Sequence, residues 1–149
     1  MRIRKLGLKN YRNLRSVELD FKSMKTLIIG KNAQGKTNIL ESIYFLSDLK
    51  SPRTSTVSDL IKFGEEKFEI SAEIEKNNTD IELDFSYDKD KKRELKINKV
   101  KSRVKDFKSV VKTVLFSTKD LLLLRGTPQD RRDWLDRAIS QIYPAYDER

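Results

Sequence analysis

The chain has 149 residues, enough for one domain with a sizeable core, and is 37% hydrophobic and 37% charged. It contains no cysteine and no histidine, which excludes disulfides, thiolate metal sites and imidazole-based acid–base chemistry. No apolar run reaches the length of a membrane span, and Met1-Arg2-Ile3-Arg4-Lys5 lacks the apolar stretch of a signal peptide, so the cytoplasm is the expected compartment.

In chain order, the first thirty residues read as three short strands over about 2–9, 17–21 and 25–29. Val17, Leu19 and Phe21 alternate with Glu18 and Asp20, the period of a half-buried strand, and Asn10-Tyr11-Arg12-Asn13 forms the preceding turn. Thr26-Leu27-Ile28-Ile29 reads as a strand buried on both faces. A helix is expected from about Gly35 to Leu49, with Ile39, Leu40, Ile43, Leu46 and Leu49 as its apolar stripe and Pro52 beyond its end. A polar stretch from Ser51 to Ser58 leads to a short helix or turn near Asp59–Phe63. From Phe68 the period becomes two, through Ile70, Ala72, Ile74, Ile81, Leu83, Phe85, Tyr87, Leu95 and Ile97. With turns at Asn77-Asn78 and Asp88-Lys89-Asp90, this predicts an antiparallel meander. Val110 to Phe116 reads as another buried strand, followed by a short helix over Lys119–Leu124 that Gly126 stops. Thr127-Pro128-Gln129-Asp130 then starts a last helix, with Trp134, Leu135, Ala138, Ile139 and Ile142 as a core-facing stripe and Arg131, Arg132 and Arg137 as a solvated face.

Between the third strand and the first helix stands Gly30-Lys31-Asn32-Ala33-Gln34-Gly35-Lys36-Thr37, which spells the phosphate-binding loop G-x-x-x-x-G-K-[ST] in full. Its glycines let backbone N–H groups curl around a phosphate, and the following helix N-terminus adds partial positive charge. Lys36 is expected on the β- and γ-phosphates and the Thr37 hydroxyl on Mg²⁺. The pattern thus predicts a nucleoside triphosphate site.

The net charge of +9 is uneven. Residues 88–112 hold eleven Lys and Arg against four acids, a local excess of +7. This reads either as a phosphate-contacting surface for nucleic acid or as a solvated Lys-rich hairpin. On the first reading Lys91, Lys92, Arg93, Lys96, Lys99, Lys101 and Arg103 share one exposed edge of the meander. No aromatic residue interleaves them, so stacking on bases is not expected there.

An antiparallel sheet on both sides of a single P-loop strand–helix unit predicts a mixed α/β fold rather than simple βαβ alternation. Leu8-Lys9-Asn10-Tyr11-Arg12-Asn13, about twenty residues before the loop Gly30 to Asn38, resembles the SMC-like branch of the ABC-type ATPases. Ile39-Leu40-Glu41-Ser42-Ile43-Tyr44-Phe45-Leu46, Ser51-Pro52-Arg53-Thr54, Val114 to Leu121, Gly126-Thr127-Pro128, Arg131 to Asp136 and Ser140 to Tyr146 are similar to the RecF family in particular. Pro52 stands where that family has Phe, and Thr118-Lys119 where it has Pro-Glu.

The resemblance implies ATP and Mg²⁺ as ligands, held by Gly30, Lys31, Asn32, Ala33, Gln34, Gly35, Lys36, Thr37 and Asn38, with Arg12 as a second cation at the phosphates. It further implies an ATP-dependent homodimer, binding to gapped or single-strand/double-strand junction DNA, and cooperation with RecO and RecR. ABC-type hydrolysis also needs a partner's signature loop and an acid pair ending a buried strand. Neither is visible here, so the chain is expected to be the N-terminal lobe of a longer ATPase that does not hydrolyse ATP alone. Two other readings remain: a non-hydrolysing DNA-binding module with a vestigial P-loop, and a P-loop ATPase of a phage-defence nuclease.

Overall fold

The computed structural model describes residues 1–117, 127–143 and 146. Residues 1–113 and 114–149 form two compact units. The first holds strands β1 (Arg2–Tyr11) and β2 (Leu14–Asp20), helix α1 (Lys36–Asp48), a 3₁₀ turn at Val57–Leu60, and strands β3 (Lys67–Lys76), β4 (Thr79–Asp88), β5 (Arg93–Ile97) and β6 (Val100–Lys101). Helix α2 (Val104–Val110) completes it, and the second unit holds helix α3 (Pro128–Ile142).

All six strands form one antiparallel sheet in the order β2-β1-β3-β4-β5-β6. The period of two sets the register. Leu8, Ile70, Phe85 and Leu95 lie opposite one another in one row, and Leu6, Ala72, Leu83 and Ile97 in the next. Any slip by one residue would turn these apolar rows to solvent. Helix α1 covers this face through Phe45, whose ring packs edge-on against Phe85 at 4.9 Å and Phe68 at 6.0 Å. Phe107 of α2 packs against Phe85 at 6.5 Å. Phe45, Phe68 and Phe107 are fully buried.

The meander, the α1 boundaries and both predicted turns agree with this structure, and the mixed α/β fold class holds. Two predicted strands do not form. Residues 25–29 form no strand and pair with none among the described residues, and Leu27 and Ile29 are 83% and 81% exposed. An apolar run records a tendency to be buried. A strand additionally needs neighbours for its N–H and C=O groups. Residues 110–116 are not a strand either. Val104, Phe107, Val110 and Val111 stand at helical spacing, and the first three belong to α2, which period-two reading overlooked. Val114 and Phe116 are exposed.

Of the expected α1 stripe, Ile39 and Leu46 are buried and Ile43 and Leu49 pack against the core, whereas Leu40 is half exposed; Tyr44 and Phe45 are buried beside them. In α3 the start is as read: the Thr127 hydroxyl accepts from the Asp130 N–H, and the Asp130 carboxylate accepts from the Thr127 N–H. Hydrogen bonds to the Asp130 carboxylate from the Thr127 hydroxyl and then from the Thr127 N–H hold that carboxyl below its ordinary value. Trp134 and Leu135 are half exposed rather than core residues, and Arg131 and Arg132 are exposed as expected. The helix expected over Lys119–Leu124 and the side chain of Arg137 lie outside the described residues.

Candidate functional site

The phosphate-binding loop enters α1 through Gly35, whose φ of 94° no side chain adopts without strain. An added Cβ would stand 2.5 Å from Leu14 Cδ2 and 3.1 Å from Asn13 Oδ1, so the loop is pressed against the β1–β2 turn. Two amides fasten it there. Asn13 Nδ2 donates to the Ala33 carbonyl at 2.8 Å, and Asn38 Nδ2 donates to Asn13 Oδ1 at 2.7 Å. Ala33, at φ 64°, turns the loop just before Gly35.

No side chain caps α1, and its first turn carries no acid. The N–H groups of that turn therefore keep the partial positive charge that suits a phosphate. Lys36 Nζ folds over the loop and donates to the carbonyls of Gly30 at 2.7 Å and Lys31 at 2.6 Å, which puts its charge at the loop mouth. The Thr37 hydroxyl is exposed and makes no hydrogen bond among the described residues, so it is free to ligate a cation. A positive-φ glycine cradle, an uncapped helix end, a lysine and a free hydroxyl fit a nucleotide triphosphate with Mg²⁺. Lys36 is thus joined to Gly30 and Lys31, and Ala33 and Asn38 are joined through Asn13; the side chains of Asn32 and Gln34 make no hydrogen bond among the described residues.

Arg12, in the β1–β2 turn, reaches Glu41, which stands one helical turn after Thr37 in α1. Its guanidinium is bidentate on Glu41, with Nε to Oε2 at 3.0 Å and an Nη to Oε1 at 2.7 Å, and it also donates to the Asp59 carbonyl at 3.1 Å. Arg53 donates to the same carboxylate at 3.2 Å and to Asn38 Oδ1 at 2.6 Å. Ser51 donates its hydroxyl to Glu41 Oε1 and accepts from the N–H groups of Arg53 and Thr54. Burial pushes the Glu41 carboxyl up, but hydrogen bonds from Arg12 and Ser51 and the charges of both arginines outweigh it, leaving the group below its ordinary value. Tyr11, buried beside it, is held above the ordinary phenol range by burial first and by the Glu41 charge second.

Glu41 and Arg53 were not singled out as site residues from the sequence, although Arg53 lies in the Ser51–Thr54 turn quoted for the resemblance. The usable signal is an acid, Glu41, in the middle of a helix among residues that read as buried.

The basic residues line the far edge of the sheet in two groups. Lys91, Lys92 and Arg93 stand at the start of β5, while Lys99, Lys101 and Arg103 stand past its end. Lys96 in β5 lies directly opposite Lys101 in β6. Lys92, Lys96, Lys99 and Arg103 each pair with an acid, at 3.5, 3.3, 3.6 and 2.8 Å. Lys91, Arg93 and Lys101 have no ion pair among the described residues. A shallow trough of about 560 Å³ lies on the sheet face turned away from α1. It mixes Lys9, Lys67 and Lys96 with Glu18, Glu69, Asp84 and Glu94, so it is neither a phosphate site nor a polyanion surface.

The family profile of the AAA ATPase domain matches residues 1–125. The chain belongs to the AAA ATPase domain family. Within curated proteins it is homologous to RecF, named a DNA replication and repair protein. RecF of Natranaerobius thermophilus is 38% identical over 99% of this chain, and RecF of a Bacillus cereus strain is 40% identical over 98%. Each match takes up 39% of the relative, so this AAA ATPase-family chain spans about two fifths of the length of those relatives. The structure of the recombination mediator protein RecF with ATP in the RecFOR pathway superimposes with a TM-score of 0.88 at 34% identity, over 97% of this chain and 39% of that one. An SMC ATPase studied for ATP-driven dimerisation and DNA-stimulated activation matches with a TM-score of 0.75 at 20% identity, over 90% of this chain and 97% of that one, a likeness of fold alone. Among the described residues no helix is long and apolar enough to cross a membrane.

Proposed function

We propose that the chain is the nucleotide-binding lobe of a RecF-type DNA repair ATPase in the cytoplasm, associated with the nucleoid. It binds ATP through Gly30–Asn38, with Lys36 on the β- and γ-phosphates and Thr37 on Mg²⁺. The Thr37 hydroxyl would hold the Mg²⁺, which would supply positive charge to offset that of the phosphates. The observation that carries this reading is the uncapped α1 N-terminus behind a complete phosphate-binding loop. The close likeness to RecF with ATP supports the same ligand. ATP-dependent pairing of two copies, and RecO and RecR as partners in recombinase loading, extend the proposal by homology.

DNA is the proposed macromolecular ligand, gapped or junction DNA in particular, and Lys91, Lys92, Arg93, Lys96, Lys99, Lys101 and Arg103 are the proposed contacts. The three cations without an ion pair favour phosphate contact, because no acid must be displaced first. Fluorescence anisotropy of a labelled gapped duplex across a salt series tests this. Replacing Lys91, Arg93 and Lys101 by glutamine lowers the slope of log affinity against log salt by about two to three units, near 0.9 per lost contact. Nucleotide affinity stays the same. An unchanged slope would make the basic edge a solubilising face only.

A further inference from the structure

Glu41 is almost wholly buried, its side chain only 1% exposed, yet it lies one helical turn past Asn38 in the helix that leads out of the phosphate-binding loop. Side chains on a helix lean toward its N-terminus, so this carboxylate leans toward the phosphate end of α1. A single bidentate arginine would be enough to offset the charge of a buried carboxylate. Here Arg12, Arg53 and Ser51 all converge on it, from the β1–β2 turn and from the Ser51–Thr54 turn. The surplus has a direction. Arg53 also holds Asn38, Asn38 holds Asn13, and Asn13 holds the Ala33 carbonyl of the loop. Asp59 and Tyr11 are the other titratable groups beside this cluster.

We propose that Glu41 is a positioning residue of the nucleotide site: it fixes Arg12 and Arg53 as a cation pair at the first turn of α1 and, through Asn38 and Asn13, sets the shape of the phosphate-binding loop. The inference rests on the nucleotide reading of that loop. Glu41 touches no phosphate itself. Its contribution falls chiefly on ATP rather than ADP, because Arg53, which it orients, holds Asn38, the residue after Thr37.

The test is calorimetry of Mg²⁺-ATP and Mg²⁺-ADP with the full chain, at a temperature where circular dichroism shows each variant folded. Glu41→Gln weakens ATP about tenfold and ADP by less, and Glu41→Asp recovers part of the loss. Arg53→Ala weakens ATP in the wild-type background but adds little in the Glu41→Gln background, since the arginine is already released. A purely structural Glu41 would lower stability and leave the ATP-to-ADP ratio unchanged. Equal ATP losses from Arg53→Ala in both backgrounds, or wild-type affinity in Glu41→Gln, would overturn the inference while the loop reading stands. Equal ATP binding by wild type and Lys36→Ala, or none by wild type, would overturn the loop reading and this inference together.

Discussion

Asn13 holds the phosphate-binding loop through one side chain that both donates to Ala33 and accepts from Asn38. The loop itself was legible because all its chemistry lies within eight consecutive residues, and local spacing alone states it. The Glu41 cluster was not legible, because Arg12 lies 29 residues before Glu41 and Arg53 lies 12 after it. Only the fold brings them together. The expectation that Arg12 faces the phosphates came from the family resemblance, and the structure records its guanidinium on Glu41.

The depressed Glu41 carboxyl makes stability depend on acid. Its ordinary value is 4.5 and its folded value is lower, so the folded state binds that proton less readily than the unfolded chain. The stabilisation is complete above the ordinary value and is lost as pH falls through the folded one. Urea unfolding of wild type and Glu41→Gln from pH 7 to pH 3 is expected to show a gap that shrinks as the acid limb is entered. A gap of constant size would show that Glu41 is not ionised in its cluster. At neutral pH the gap is about 3 kcal/mol, the order of loss when one partner of a buried charge pair is removed.

At the level of elements, the sheet was readable from alternation alone because each strand from β3 to β5 buries one face. The misread elements share a cause. In residues 25–29 and 110–116, several apolar residues in a row satisfied a buried-strand pattern, but a run of that kind does not distinguish a strand from a helix end or an unpaired extended segment. Helix α2 is hard to read because it is only seven residues long and its buried positions are the two residues Phe107 and Val110. Helix α1 is the element on which the site depends. Phe45 joins it to both central strands, so Phe45→Ala is expected to cost about 3–5 kcal/mol in chemical denaturation. A cost below about 1 kcal/mol would mean that α1 is held mainly by its polar network.

Within residues 1–113, one face of the sheet carries α1, α2 and the core, its β1–β2 end grips the phosphate-binding loop, and its β5–β6 edge carries the basic residues. The phosphate-binding loop and the proposed DNA edge are therefore borne by different parts of one sheet. Catalysis has different requirements. The acid of α1 nearest Thr37 in sequence is Glu41, and it is committed to Arg12, Arg53 and Ser51. The chain alone is accordingly expected to release no phosphate from ATP above background. Turnover that disappears in Lys36→Ala would show that a general base is present within these residues.

Titration calorimetry of wild type, Lys36→Ala and Thr37→Ala with ATP, in the presence and absence of Mg²⁺, tests the phosphate-binding loop most directly. The wild type is expected to bind Mg²⁺-ATP, Lys36→Ala to lose most of that affinity because the charge at the loop mouth is gone, and Thr37→Ala to lose chiefly the Mg²⁺ dependence. Equal binding by all three proteins would contradict the account and place the nucleotide elsewhere on the chain.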